Sequence, residues 1–202
     1  MKTNRFIFIY NTLISMEQTM NFLKEVSAGT VKILNDFSEK GRKGDFTFEF
    51  DCATSDNYLE TNILHFGQFV EMFNKLKTIT GPVIYWIEVI SDNEIKEILN
   101  AAETFKITNR RHVPAIRKKV SYHSRILYVG KVEKDIFVRV MTHMGFHRSH
   151  KTQGLQMYHW GKQIGLRVRF NLMQLHGGCE SILPVLEKAL AQKMQPIIGK
   201  HK

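Results

Sequence analysis

Cysteine is scarce: Cys52 and Cys179 are the two in a chain of 202 residues. They lie far apart and match no metal-ligand spacing, which excludes a cysteine-based zinc site. They read as reduced thiols of a cytosolic protein, with a disulfide between them as the alternative. Long apolar runs are missing too. No stretch approaches the roughly 20 residues needed to span a bilayer. Near the start, Lys2 and Arg5 precede the apolar run Phe6–Tyr10, as in a signal peptide. Asn11 and Thr12 break that run and no small-residue cleavage site follows, so it reads as a buried strand. A cytoplasmic protein without membrane contact is expected. Repeats and low-complexity tracts are absent as well, and 43% hydrophobic with 24% charged residues excludes wholesale disorder. The length suffices to bury a core, as one domain with an elaboration or as two small ones.

Acidic residues are the next shortage, and it is local. Residues 1–80 carry 9 Lys/Arg against 10 Asp/Glu, whereas residues 81–202 carry 20 against 9. The formal charge of +10 therefore belongs to the C-terminal part. A surplus confined to one region fits a polyanionic partner such as nucleic acid, whose phosphates reward clustered Lys and Arg. A solvated basic face is the bland alternative.

What is present reads as a mixed α/β chain of the α+β kind. From Met16 to about Phe37, Met20, Leu23, Val26, Val31 and Leu34 recur at helical spacing, loosened at Ala28-Gly29. Residues 41–44 predict a turn, Phe46–Phe50 a half-buried strand and Phe66–Leu76 a second helix. No catalytic constellation falls in residues 1–80, which are expected to be an accessory α/β region that recognises a partner or serves structure alone. Gly81-Pro82 punctuates the chain. Beyond it the pattern predicts a strand Val83–Ile90 and a helix from about Asp92 to Phe105, capped by Ser91 or Asp92. A strand Arg125–Val132, a helix from Lys134 to Met144, a strand Leu166–Leu175 and a helix Ile182–Met194 follow. Residues 145–165, with Trp160, read as an irregular excursion.

Three pieces of this second part stand in order. Val83-Ile84-Tyr85 follows Gly81-Pro82. Tyr128-Val129-Gly130-Lys131 comes next, with Arg139 eleven residues beyond Tyr128 and His143 four beyond Arg139. Glu187 is last, with Pro196 nine residues later. Each piece alone is weak; their order and spacing together resemble the GIY-YIG endonuclease family over roughly residues 81–200. The resemblance implies a small mixed sheet flanked by helices, with two strands bearing the tyrosines, one helix the arginine and a later helix a single metal-binding glutamate. Three departures stand out. Val83 occupies the place of the first motif's glycine, residues 91–124 form an insertion between the tyrosine motifs, and Gly199 stands where the family commonly has asparagine.

Cutting a phosphodiester needs an activated water, neutralisation of transition-state charge and help for the leaving oxygen. The resemblance makes Tyr85 the general base, with Lys131 as the nearby cation that lets it act near neutrality. Tyr128 would position the water, and His143 would share the face of Arg139 one helical turn away. Arg139 offers phosphate a planar fork of donors. Glu187 would hold Mg²⁺ or Mn²⁺, since Mg²⁺ keeps several waters and needs only one or two carboxylates. The bland readings are two half-buried strand tyrosines, a solvated arginine and a glutamate paired with Lys188 or Lys193. His143, His147 and His150 invite a zinc reading, but no Cys or acid accompanies them at suitable spacing.

Residues 109–125 contain six Lys/Arg and no acid. They place Arg110, Arg111, Arg117, Lys118, Lys119 and Arg125 beside the tyrosine strands as a grip on DNA, with Arg148, Lys151 and Lys162 as further phosphate contacts. The expectation is a metal-dependent endonuclease acting on DNA, RNA being the alternative substrate, in a nuclease domain spanning 81–202. A degenerate nuclease scaffold that binds nucleic acid without cutting is the second reading. A subunit of a defence or repair complex, meeting another protein or a second copy through residues 1–80, is the third.

Overall fold

Strands form where β-branched and aromatic residues cluster, and four of them assemble into one sheet. The computed structural model describes residues 15–55, 62–109, 113–117, 120–147 and 153–200. Among these, β1 (Arg42–Asp51), β2 (Val83–Val89), β3 (Ile126–Val132) and β4 (Arg167–Leu175) lie in the order β1-β4-β2-β3. Every pairing is antiparallel. The sheet expected to be mixed is therefore antiparallel throughout: β1 and β2 run in the same sense, as do β3 and β4, but β4 lies between the first pair and β2 between the second, so no two parallel strands are neighbours. β1 pairs with β4 from Arg42↔Leu175 to Asp51↔Arg167, so the sheet crosses the boundary expected between residues 80 and 81. The strand expected at Phe6–Tyr10 lies outside the described residues.

Helix boundaries follow their caps. α1 (Met16–Lys40) opens with a capping box: Gln18 N donates to Ser15 Oγ at 3.1 Å and Ser15 N to Gln18 Oε1 at 2.9 Å. It stops at Gly41, whose φ of 65° suits glycine, and β1 starts at once, so the turn expected over 41–44 shrinks to one residue. α2 (Val70–Thr78) begins later than expected because Gly67, at φ 93°, interrupts the turn before it. α3 (Ile95–Asn109) also starts late, and Ser91 is not its cap. The Ser91 hydroxyl instead donates to Asn93 Oδ1 at 2.7 Å and accepts from Arg167 N at 3.1 Å, tying the start of the insertion to β4. α4 (Ile136–Met144) is capped by Asp135, which accepts from Val138 N at 3.1 Å, and ends at Gly145 with φ 102°. α5 (Met157–Gly161) lies inside the stretch expected to be irregular. Trp160 is buried there, with its indole N–H on Leu155 O at 2.7 Å, and that anchor orders the segment. α6 (Leu183–Met194) starts with Pro184 in its first turn.

Alternation along the strands divides the core in two. Val83, Tyr85 and Ile87 of β2, with Val168, Phe170 and Leu172 of β4, face a cluster that includes Phe73, Ile98 and Val140 from α2, α3 and α4. Ile84 and Leu175 face the other way, against Ile182 and Leu183, with Leu186 and Leu190 of α6 packed alongside. α1 joins this second cluster through Ile33, Leu34 and Phe37 alone. Met20, Leu23, Val26 and Val31 of the same stripe are exposed. Cys52 and Cys179 are unbridged and buried. No helix among the described residues is long and apolar enough to cross a membrane.

Candidate active site

Tyr85 sits opposite Gly130 in the β2–β3 ladder, and directly opposed residues point to the same face. The phenol lies across the glycine. A Cβ at Gly130 would stand 2.5 Å from Tyr85 Cζ, closer still to its Oη, and 2.7 Å from Tyr128 Cε1. The glycine of the second motif is thus the floor on which both tyrosines lie. Their rings stack with centroids 6.1 Å apart at 28°.

α4 delivers the other two groups one helical turn apart. Arg139 Nε donates to Tyr85 Oη at 2.9 Å and Nη2 to Tyr128 Oη at 3.3 Å. Nη1 donates to Gln153 O at 3.1 Å. A guanidinium has five N–H donors, so one N–H on each Nη remains beyond these three bonds. His143 Nε2 lies 2.8 Å from Tyr85 Oη, while its Nδ1 accepts from Leu155 N at 3.2 Å. The loop carrying Gln153 and Leu155 is pressed onto α4 through Gly154, where a Cβ would meet Thr142 O at 2.7 Å. These backbone contacts left no mark that the sequence reading used.

Proton positions follow from the partners. Leu155 N–H occupies His143 Nδ1, so a neutral ring carries its proton on Nε2 and donates to Tyr85. Tyr85 Oη then accepts from both His143 and Arg139, and Arg139 bridges it to Tyr128 Oη. Burial, and then Arg139, hold His143 well below the usual histidine range. Burial and then Tyr128 push the Tyr85 phenol well up, against the pull of Arg139. Tyr85, expected as the general base, is 0% exposed and has both lone pairs occupied by Arg139 and His143. Tyr128, at 8%, is buried as well and is the less enclosed of the two phenols. With both ring nitrogens engaged, His143 is also withdrawn from any zinc site. No group of three or more His, Cys, Asp or Glu poised for a metal occurs among the described residues.

The neutral state of His143 has a measurable consequence. Its native pKa lies below the unfolded value of about 6.5, so at low pH the unfolded chain takes a proton that the native chain refuses. Stability is held above that range and declines as pH falls through it. Urea melts at pH values on either side of about 6.5 should show this decline in the wild type and a shallower one in His143→Gln. Equal slopes would disprove a buried neutral ring.

Glu187 and Lys131 reach the site from the other side. Lys131 neighbours Gly130 in β3 and pairs with Ile84, on the face that α6 covers. Glu187, on α6, is half-buried; burial raises its carboxyl, while Lys131 and then Arg139 pull it back. Its charge in turn raises both phenols. Glu187, on the α6 side of the sheet, is thus linked by charge to the tyrosine cluster on the other side. Lys131 acts on Glu187, and the cation beside Tyr85, expected to be Lys131, is Arg139.

The basic residues divide. Arg125 is turned inward, with Nη1 on Asn93 O at 2.8 Å, Nη2 on Ser91 O and Nε on Val89 O at 3.4 Å. It clamps the turn after β2, a structural role that the phosphate-contact expectation did not include. Arg117 is half-buried, with Nε on Gly199 O at 3.4 Å. Lys162 lies over the Tyr158 ring at 5.7 Å. Arg110, Arg111, Lys118, Lys119, Arg148, Lys151 and His150 fall outside the described residues. Gly199 has φ 108° and donates its N–H to Ala115 O at 2.9 Å, so this position serves a backbone turn that favours glycine over the family's asparagine. No family model, no curated protein and no solved structure matches the chain.

Proposed function

We propose that this chain is a metal-dependent endonuclease that hydrolyses phosphodiester bonds in DNA through a GIY-YIG type of site. The observation that carries the reading is the Arg139 hub, which binds the hydroxyls of both motif tyrosines while two of its N–H groups remain for a phosphate. Glu187 fits a hard ion that keeps most of its water, because it is one half-buried carboxylate with Lys131 and Arg139 acting on its charge. Mg²⁺ or Mn²⁺, when bound, supplies charge neutralisation and a more acidic water. The residues do the rest. Arg139 orients the phosphate, Lys131 keeps Glu187 ionised, and Tyr128 presents its hydroxyl to the reacting groups. Tyr85 and His143 are positioning residues: His143 holds the Tyr85 hydroxyl, and that hydroxyl holds Arg139. The extent of the nuclease domain, 81–202, is part of this proposal.

A second reading, nucleic-acid binding without cutting, draws on the sealed Tyr85. The exposed stripe of α1 supports the further reading in which residues 1–80 meet another protein or a second copy. Plasmid nicking with Mg²⁺ or Mn²⁺ separates the enzyme from the binder. Glu187→Gln is expected to abolish nicking while DNA binding persists. It should also raise the melting temperature at neutral pH. A carboxyl raised by burial favours the native state at low pH, and that favour is lost as pH rises through its native pKa. A variant that still nicks DNA would remove Glu187 from the chemistry.

A further inference from the structure

Beyond Glu187, α6 forms one wall of a groove of about 420 Å³ whose lining includes Arg117, Ser121, Ala191, Gln192, Gln195 and Pro196. Ala191 is one helical turn from Glu187, so the groove begins about 6 Å further along the same side of α6. The opposite wall is braced by backbone. Ser124 Oγ donates to Met194 O at 3.1 Å, Arg117 N to Ile197 O at 3.4 Å and Gly199 N to Ala115 O at 2.9 Å. Arg117 is thereby fixed at the rim. Its Nε is used on Gly199 O, and its two Nη groups have no partner among the described residues. Among the described residues the lining holds one cation, two amides and a hydroxyl, and no acid. A roomier groove of about 710 Å³, between α3 and His159–Ile164, carries Glu94 and Glu97 against Lys96, a net acidic lining that suits a phosphate backbone less well.

We propose that the groove beside α6 is a strand-binding subsite, taking the DNA backbone one step beyond the phosphate held at Arg139. Arg117 is its phosphate contact, and Gln192 and Gln195 meet the adjoining sugar or base. This rests on the nuclease reading for its orientation, and its test does not need cleavage. A fluorescein-labelled mixed-sequence DNA duplex is titrated with the full chain, without divalent metal, across a range of salt. Arg117→Ala is expected to weaken binding about tenfold. It should also lower the slope of log affinity against log salt by about 1. Gln192→Glu, at an exposed position that leaves the fold alone, should weaken binding by placing a carboxylate against the strand. Wild-type affinity and salt slope in Gln192→Glu and in a folded Arg117→Ala overturn the groove, and if the wild type still nicks plasmid DNA the nuclease reading stands. Binding that depends on both residues, in a chain that never nicks DNA, supports the groove and overturns the nuclease reading. A wild type that binds no DNA overturns both.

Discussion

Gly130→Ala should cost on the order of 100-fold in DNA cleavage, the scale of displacing a reacting group by about 1 Å. It should cost about 1–3 kcal/mol of stability besides, as overpacking does. The added methyl would stand 2.5 Å from Tyr85 Cζ and 2.7 Å from Tyr128 Cε1, and neither ring can yield independently. Tyr85 is held by Arg139 at 2.9 Å and His143 at 2.8 Å, and Tyr128 by Arg139 at 3.3 Å, so moving one phenol moves the hub. The double variant Gly130→Ala with Tyr85→Phe tests this directly. Removing Oη takes away the atom nearest the new methyl, so part of the stability should return, whereas cleavage should not. Denaturant melts of the four proteins of that cycle give the coupling. Additive losses would mean that the ring does not lie on the glycine.

Arg139→Lys keeps the charge and removes the fork, and it is expected to lower turnover by about 100- to 1000-fold, the usual cost of losing an oriented donor at developing charge. An ammonium cannot reach Tyr85, Tyr128 and Gln153 O together from this place on α4. Affinity for DNA measured without metal should change little by comparison, because the positive charge survives. A lysine variant that turned over at the wild-type rate would reduce Arg139 to a general cation. Equal loss from Arg139→Lys and Arg139→Ala would instead show that geometry, and not charge, is what the site draws from this residue.

Much of the local structure was legible in the residues. Alternation gave Phe46–Phe50, apolar spacing gave α1, and the four-residue interval between Arg139 and His143 put both on one side of α4; that this side meets the tyrosines was implied by the resemblance alone. Other features could not be read, for identifiable reasons. The pairing of β1 with β4 joins residues more than a hundred positions apart, and alternation says which face a strand buries, not which neighbour it takes. Arg125 stands in a basic run indistinguishable in sequence from phosphate-binding arginines, yet the turn after β2 has carbonyls to satisfy and claims it. The main-chain groups of Gln153 and Leu155 hold Arg139 and His143, and a backbone amide has no sequence signature. The resemblance names Tyr85 as the base, and its motif does not record that the residue is fully buried.

The sheet order has a kinetic consequence. β4, the last strand along the chain, pairs with both β1 and β2, and its bond partners Arg169 and Glu49 are 120 residues apart. Neither edge of β4 can be satisfied by a neighbour in sequence, so closing the sheet requires large loops to be ordered before their contacts stabilise anything. Refolding should therefore run in the slow, millisecond-to-second range of non-local β topologies. While it runs, β1 waits with unpaired amides and the phenylalanines of 46–50 uncovered, a segment prone to associate with its own copies.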